Sequence, residues 1–272
     1  METFLFSCMD INFIDLPATR ERLKPFTFTR PIAEIRVGIL TIREKWQHFG
    51  FNTGHSTSNY LSTKYPPLVG ALQINGSVIP SQGLVSRIHE LKANEALVCK
   101  GQFLAGDPEG APVEFQQDLA SIQQTWDIFA MNRAQIIADL ELLKPTTQFV
   151  PLTDPHTIVY GEENVFIEEG AQIKAAIIDA SEGPVYIGKN AQVHPGAIIN
   201  GAFALCEGSH VNMGAKIKGD TTVGPFCKVG GEVSNSVFFG FSNKGHDGFV
   251  GNSVIGEWCN LGADTNTSNL KN

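Results

Sequence analysis

Aliphatic residues recur every six positions through the second half of the chain: Ile187, Val193, Ile199, Leu205, Val211, Ile217, Val223 and Val229 form an unbroken series. Ile167 and Ile173 keep the same step upstream, and after a two-residue slip the pattern resumes as Val237, Asn243, Phe249, Ile255 and Leu261. Gly, Ala, Asn and Asp crowd the positions between. A helix needs spacing near 3.6 residues and tolerates few glycines, so it does not fit. Each hexad instead predicts a short strand with one aliphatic side chain turned inward, followed by a tight turn built from residues that accept positive φ. Coils stacked in this way bury a continuous aliphatic column.

Before about residue 150 the pattern changes. Short apolar runs predict strands over 3–6, 68–74, 96–99 and 102–105, with Asn75-Gly76 as a hairpin turn. Ile39, Ile42, Trp46 and Phe49 fall at steps of three and four and predict a helix over 37–49, while Ser81 is placed to cap another running to about Leu91. Strands alternating with helices predict an α/β domain. Between Pro112 and Pro145 there is neither Gly nor Pro, and Phe115, Leu119, Ile122, Trp126, Phe129, Ile136, Leu140 and Leu143 recur at helical spacing. This predicts one long amphipathic linking helix in which Trp126 and Phe129 are core residues. The chain is thus divided into an α/β domain over 1–110, a linking helix over 111–150 and stacked coils over 151–272.

Composition supports the division, since nine of the 27 glycines precede Val150 and eighteen follow it, while all seven arginines precede it. Acidic residues outnumber basic ones 28 to 20, for a net charge of -8 at pH 7. No broad basic face is offered to phosphates, which excludes general nucleic-acid binding. No run of about 20 apolar residues predicts a membrane span. The first sixteen residues carry no Lys or Arg and are interrupted by Asp10 and Asp15, so no signal peptide is predicted and the protein is expected in the cytoplasm. Five cysteines without a C-x-x-C pair point to free thiols rather than to disulfides or a zinc cluster.

The hexads resemble those of hexapeptide-repeat transferases, which implies a left-handed parallel β-helix of triangular section, three hexads per coil, in a homotrimer. The segment Lys244-Gly245-His246-Asp247-Gly248-Phe249-Val250-Gly251, followed by Val254-Ile255-Gly256 and Asn260-Leu261-Gly262-Ala263, narrows the resemblance. It is similar to the acetyltransferase domain of bifunctional N-acetylglucosamine-1-phosphate uridyltransferase/glucosamine-1-phosphate acetyltransferases, ungapped from Glu232 to Asn269. The resemblance implies that His246 is the catalytic base, oriented by Glu232, that Asn260 and Asn269 bind substrate, and that the backbone amide of Ala263 helps hold the thioester carbonyl. Two polar residues of that family are replaced: its tyrosine by Phe249 at the substrate site, and its phosphate-binding lysine by Ser234. Lys228, Lys244 and Lys271 are read as solvated lysines. The chain stops at Asn272 in mid-coil, where the family continues with repeats that bind acetyl-CoA, which is the expectation for a truncated product.

This residue set suits the chemistry. An amine nucleophile must lose a proton as it attacks a thioester, and histidine titrates in the range where it can take one. A carboxylate would fix the imidazole tautomer, and a backbone N–H would hold the developing oxyanion. The expected co-substrate is acetyl-CoA and the acceptor an amino-sugar phosphate, with no metal at this site. His48, His55, His89, His156, His194 and His210 lack such a context and are read as surface or structural residues.

In the first half, Arg22-Leu23-Lys24-Pro25-Phe26-Thr27 with Arg30-Pro31 resembles the sugar-phosphate nucleotidylyltransferase pattern G-T-R-L-x-P-L-T…P-K. Arg22 then falls on the arginine expected near a nucleoside triphosphate, but Arg20 and Glu21 stand where the pattern has Gly and Thr, and no glycine-rich loop precedes them. The stretch from Thr29 to Trp46 is similar to a bacterial subgroup in which a divergent nucleotidylyltransferase-like domain is fused to a hexapeptide acyltransferase. Arg22, Arg30 and Arg36 are candidates for nucleotide or phosphate binding, with pairing to acids such as Glu34 and Glu44 as the structural alternative. Mg²⁺ is expected only if nucleotidyl transfer survives. The leading expectation is amino-sugar-phosphate N-acetylation with an associated nucleotidylyltransferase-like domain. The alternatives are nucleotidyl transfer as the main activity and a nonenzymatic nucleotide-sugar-binding trimeric scaffold.

Overall fold

A computed structural model describes residues 9–267 and divides the chain into two compact units. One contains residues up to Ile35 together with Leu40–Thr125; the other contains Arg36–Ile39 together with the chain from Trp126 onward. The predicted strand over 3–6 and the residues Cys8, Asn269 and Lys271 lie outside the described residues.

The first unit is an α/β domain, as the alternating pattern predicts. Its elements are β1 (Met9–Ile14), α1 (Pro17–Arg22), α2 (Ile42–His48), β2 (Phe51–Ser56), α3 (Asn59–Ser62), β3 (Leu72–Asn75), α4 (Gln82–His89), β4 (Glu95–Cys99), β5 (Gln102–Gly106) and β6 (Ala111–Glu114). The sheet order is β2-β1-β3-β5-β4-β6, with β2, β1 and β3 parallel and β5 antiparallel to both its neighbours. Ile11, Phe13, Ile74, Leu97 and Leu104 are buried in this sheet. Trp46 packs edge-on against Phe13 and Phe51 and donates its indole N–H to the Val78 carbonyl at 2.9 Å. A buried indole with its one donor satisfied adds its full apolar area without a polar penalty.

Two local expectations change. Asn75-Gly76 does form a turn, but it does not join a hairpin: the Gly76 N–H donates to the Ile14 carbonyl, and the flanking strand β3 pairs with β1 and β5. The β4–β5 hairpin instead turns at Lys100-Gly101, both at positive φ (50° and 79°), the geometry that matches strand twist. Helix α2 begins at Ile42, behind a capping box in which Thr41 and Glu44 bond each other's backbone, because residues 36–39 belong to the second unit. Ser81 caps α4 as expected, its hydroxyl accepting from the Leu84 N–H.

The predicted long helix between Pro112 and Pro145 is not formed. Residues 111–114 are strand β6, 115–126 are non-helical, and only α5 (Asp127–Ala130) and α6 (Asn132–Leu143) are helical. Phe115 and Ile122 are buried, as the spacing implied, but from extended backbone whose N–H groups bond Val98 and Ser77 carbonyls. Trp126 is exposed rather than core.

The second unit is the predicted parallel β-helix. Strands 158–160, 177–179, 198–200 and 216–218 form one face and strands 165–167, 185–187, 203–205 and 221–223 a second. Strands 172–173, 192–193, 210–211, 228–229 and 243–244 form the third, and the long strands 232–240 and 249–257 each run across the first two faces. All pairings between these strands are parallel, so each coil lies on the last. Three inward columns fill the interior: Val159-Ile178-Ile199-Ile217-Val233-Val250, Ile167-Ile187-Leu205-Val223-Phe238-Ile255, and Ile173-Val193-Val211-Val229-Lys244. Every predicted position from Ile187 to Val229 is buried, each such side chain contributing about 1.5–3 kcal/mol of transfer free energy.

Beyond Val229 the register differs from the expected one. The step from Val211 to Val229 is eighteen residues but that from Val229 to Lys244 is fifteen, because the chain turns at Gly230-Gly231 and runs on as one long strand. Val233, Phe238, Lys244 and Val250 therefore point inward where Val237, Asn243 and Phe249 were expected, and the pattern rejoins at Ile255. Outside the second face, Asn132 of α6 accepts from the Gly38 N–H (2.8 Å) and the Thr222 hydroxyl (3.1 Å) and donates to the Asp220 carbonyl (2.9 Å). Asp139 accepts from the Ile39 N–H at 2.8 Å. The four-residue segment 36–39 is thus an integral part of this unit.

Candidate active site

His246 lies in the turn 245–248, between the third-face strand 243–244 and the first-face part of strand 249–257. Its side chain is exposed, and among the described residues its ring makes no hydrogen bond. The turn itself is tightly packed. A Cβ on Gly231 would stand 2.7–2.9 Å from the Gly248 carbonyl, the Asp247 Cα and the His246 carbonyl, so only glycine lets the preceding coil approach this closely. On the following coil, the Asp264 N–H donates to the Asp247 carbonyl at 3.1 Å. His246 precedes Asp247 and Ala263 precedes Asp264, so the imidazole and Ala263 stand on neighbouring coils at one corner. The Ala263 N–H has no hydrogen-bond partner among the described residues, as an oxyanion donor requires.

Glu232 is not where the resemblance implies. Its N–H donates to the Gly248 carbonyl at 3.0 Å, which ties its backbone to the turn, but its carboxylate meets Lys218 Nζ at 2.6 Å. No hydrogen bond joins it to His246 among the described residues. The cause is strand geometry: the Glu232 side chain points outward from the first face, beside Lys216 and Phe249 in register, and Lys218 of the preceding coil reaches it first. This pair is substantially exposed and worth about 1 kcal/mol or less, so it does not lock the carboxylate in place.

Asn260 is exposed one coil beyond, its side-chain oxygen accepting from Asn243 Nδ2 at 2.8 Å. Phe249 is half-buried, with its ring over Gly251, where a Cβ would come within 2.4 Å of the ring. Lys244 is the largest departure from the sequence reading: it is buried rather than solvated, and its ammonium donates to the carbonyls of His246 (2.8 Å) and Gly248 (2.9 Å). Burial lowers its pKa, and the neighbouring Asp247 opposes that shift. Asn212, which the sequence did not mark, donates to the Gly245 carbonyl at 2.9 Å. The mis-set register beyond Val229 hid Lys244; a lysine at an inward hexad position was the available signal.

In the first unit β1 lies between β2 and β3, so strand order reverses at β1, the place where α/β sheets bind ligands at strand carboxyl ends. The arginine at its centre is Arg20, which pairs with Asp15 at 2.6 Å and donates to the Tyr60 hydroxyl at 2.8 Å and to the Thr27 carbonyl. Arg22 is exposed and donates to the Gln123 carbonyl (3.0 Å), the Gln123 side-chain oxygen (2.8 Å) and the Thr19 hydroxyl (3.2 Å). Arg30 is buried, its carbonyl 3.4 Å from Arg20. Arg36 belongs to the other unit, buried with its guanidinium on the Phe239 carbonyl (3.2 Å) and the Ile39 carbonyl. Arg36 thus uses its guanidinium on backbone carbonyls of its own unit, and Arg22 and Arg30 are the candidates that belong to the first. Glu34 instead pairs with Arg43 (2.6 Å) and His55 (2.9 Å); burial would raise its pKa, but these partners hold it below the ordinary value.

Residues 11–148, just over half of the chain, match the family described as sugar nucleotidyl transferase. The chain belongs to the sugar nucleotidyl transferase family. A bifunctional protein GlmU from Paraburkholderia xenovorans (strain LB400) is 24% identical over 234 residues, covering 75% of this chain and 50% of that protein. The GlmU of Rippkaea orientalis (strain PCC 8801 / RF-1) is 26% identical over 143 residues, covering 45% and 30%. The chain thus spans half or less of the length of these curated relatives. A crystal structure of a mutant GDP-perosamine N-acetyl transferase from Caulobacter crescentus, in complex with CoA and GDP-perosamine, aligns over 94% of this chain and 93% of that chain at a TM-score of 0.30 and 11% identity. Membership of the sugar nucleotidyl transferase family makes the chain a transferase. No helix among its described residues is long and apolar enough to cross a membrane.

Proposed function

We propose that the protein is an acetyl-CoA-dependent N-acetyltransferase acting on an amino-sugar phosphate of the glucosamine-1-phosphate type, in nucleotide-sugar synthesis, with His246 as general base. The observation that carries this reading is the corner at which an exposed imidazole and the Ala263 N–H, unpartnered among the described residues, stand on adjacent coils. As the acceptor amine attacks the thioester carbon, an N–C bond forms, His246 takes the amine proton and the Ala263 N–H faces the oxyanion. Collapse breaks the C–S bond, and the proton returns to the departing thiolate. Asn260, Asn269 and Phe249 are assigned to the substrate. Glu232 is assigned the orienting role once it exchanges Lys218 for the imidazole. The test is thiol release from acetyl-CoA with a panel of amino-sugar phosphates, in this chain and in a C-terminally longer one. His246→Ala is expected to lower turnover by about 10²–10⁴-fold at unchanged assembly, and unchanged turnover would overturn the assignment.

The same reading places the protein in the cytoplasm as a homotrimer. Support for association comes from an exposed ladder on the first β-helix face, Ile158, Ile177 and Ile198, which stack in register with their side chains in solvent. Light scattering that gives a monomer at micromolar concentration would remove the trimer.

For the first unit we propose nucleotidyl transfer from a nucleoside triphosphate to a sugar-1-phosphate, supported by family membership and by the strand-order reversal at β1, which leads into the helix α1 that carries Arg22. Among the described residues no group of three or more His, Cys, Asp or Glu is gathered for a metal, and the Asp15 carboxylate is already taken by Arg20, Thr57 and the Ile32 N–H. A Mg²⁺ ion accompanying this chemistry would therefore be held chiefly by the triphosphate itself, with one or two carboxylates from the protein at most. Pyrophosphate release that depends on Arg22 tests this activity, and its absence with all four triphosphates leaves the unit as a binding module.

A further inference from the structure

All four backbone carbonyls of the turn that carries His246 are occupied. Gly245 accepts from Asn212 Nδ2, His246 from Lys244 Nζ, Asp247 from the Asp264 N–H, and Gly248 from both Lys244 Nζ and the Glu232 N–H. The side chains of His246 and Asp247 are nevertheless exposed. The backbone of this turn is therefore fixed while the imidazole is left accessible, which is the arrangement a general base requires.

Two of the donors are side chains rather than strand backbone. The column holding Lys244 takes valine at three successive coils, Val193, Val211 and Val229, and takes lysine only at the coil that leads into His246. An ammonium in an aliphatic column is costly unless bonded, and among the described residues it is bonded only to the turn in question. Asn212 projects from two coils back and reaches past Gly230, where a Cβ would stand 2.4 Å from the Gly245 carbonyl, and the absence of a side chain at Gly245 also lets it close: a Cβ there would stand 3.1 Å from Asn212 Nδ2.

We propose that Asn212 and Lys244 are positioning residues for His246, clamping residues 245–248 so that the imidazole is presented from a preset backbone. The inference rests on the assignment of His246 as base. Neither residue is assigned to the substrate.

The test compares Lys244→Met, Asn212→Ala and the control Lys228→Met, an exposed lysine one coil away, in the full chain. Amide hydrogen exchange over 245–249 is read alongside steady-state thiol release. Lys244→Met is expected to speed exchange in the turn and to lower kcat about 10- to 100-fold with acceptor KM within about twofold, as expected when positioning rather than binding is lost. Asn212→Ala acts in the same direction but more weakly, and Lys228→Met changes neither. If Lys244→Met fails to fold, Asn212→Ala, at a half-buried outward position, carries the test. Unchanged exchange in the turn, or a loosened turn with unchanged kcat, overturns the proposal. A wild type that releases no thiol with any acceptor overturns the acetyl-transfer reading instead, and the exchange data then decide on their own whether the clamp holds the turn.

Discussion

The coils from Ile187 to Val229 and those from Gly230 onward share one architecture but differ in what fills them. In the former, successive coils repeat at eighteen residues and every position of the six-residue series is a buried aliphatic. In the latter the repeat shortens to fifteen and then seventeen residues, one inward position is a lysine, and several inward side chains are only half-buried. The regular coils are built for burial. The irregular ones give up uniform packing for a turn whose carbonyls are all engaged and whose histidine is in solvent. The proposed chemistry falls where the repeat departs from itself: a valine at 244, as at 193, 211 and 229, would leave the His246 carbonyl without its lysine donor.

Moving the exception into the regular region should have the largest effect. Val211→Lys buries an ammonium beside carbonyls already engaged in strand pairing, a cost of several kcal/mol, and is expected to abolish the cooperative melting transition followed by circular dichroism. Next is Leu205→Ala, a fully buried truncation expected to cost about 2–5 kcal/mol in urea denaturation. Ile255→Ala, in the same column but half-buried, should cost clearly less; equal losses would erase the distinction between the two regions. Thiol chemistry sharpens it further. Burial pushes the Cys227 thiol up to about 12, whereas Cys259 is only half-buried. At pH 8 a disulfide reagent should therefore label Cys259 in the native state and Cys227 only on unfolding. The smallest effect belongs to Lys218→Ala: loss of an exposed ion pair should shift stability by about 0.5 kcal/mol or less, while freeing Glu232.

How much of this was legible in the sequence follows the same divide. The columns from Ile187 to Val229 could be read directly, because a constant period and a single inward residue per hexad leave one register. Past Gly230-Gly231 the shortened coil broke that arithmetic, so Lys244 was read as a solvated residue when it is among the most buried. His246 and Ala263 fall at one corner because an ungapped motif keeps its corner. The contact implied between Glu232 and His246 is absent because Lys218, fourteen residues upstream of Glu232, competes for the carboxylate. The linking helix was misread because Phe115 and Ile122 satisfy helical spacing while being buried from extended backbone. Arg36 could not be read at all, since its partner Phe239 lies 203 residues away.

That last separation bears on how the chain is made. The second unit contains residues 36–39, which leave the ribosome long before the strand they bond, so this unit stays incomplete until Phe239 has been synthesised. A fragment beginning at Trp126 lacks the strip bonded to Asn132, Asp139 and the Phe239 carbonyl, and domain dissection by a single cut between Thr125 and Trp126 is expected to give a less stable coil than the same residues have in the intact protein. Contacts this distant in sequence form late, because the intervening chain must be ordered first.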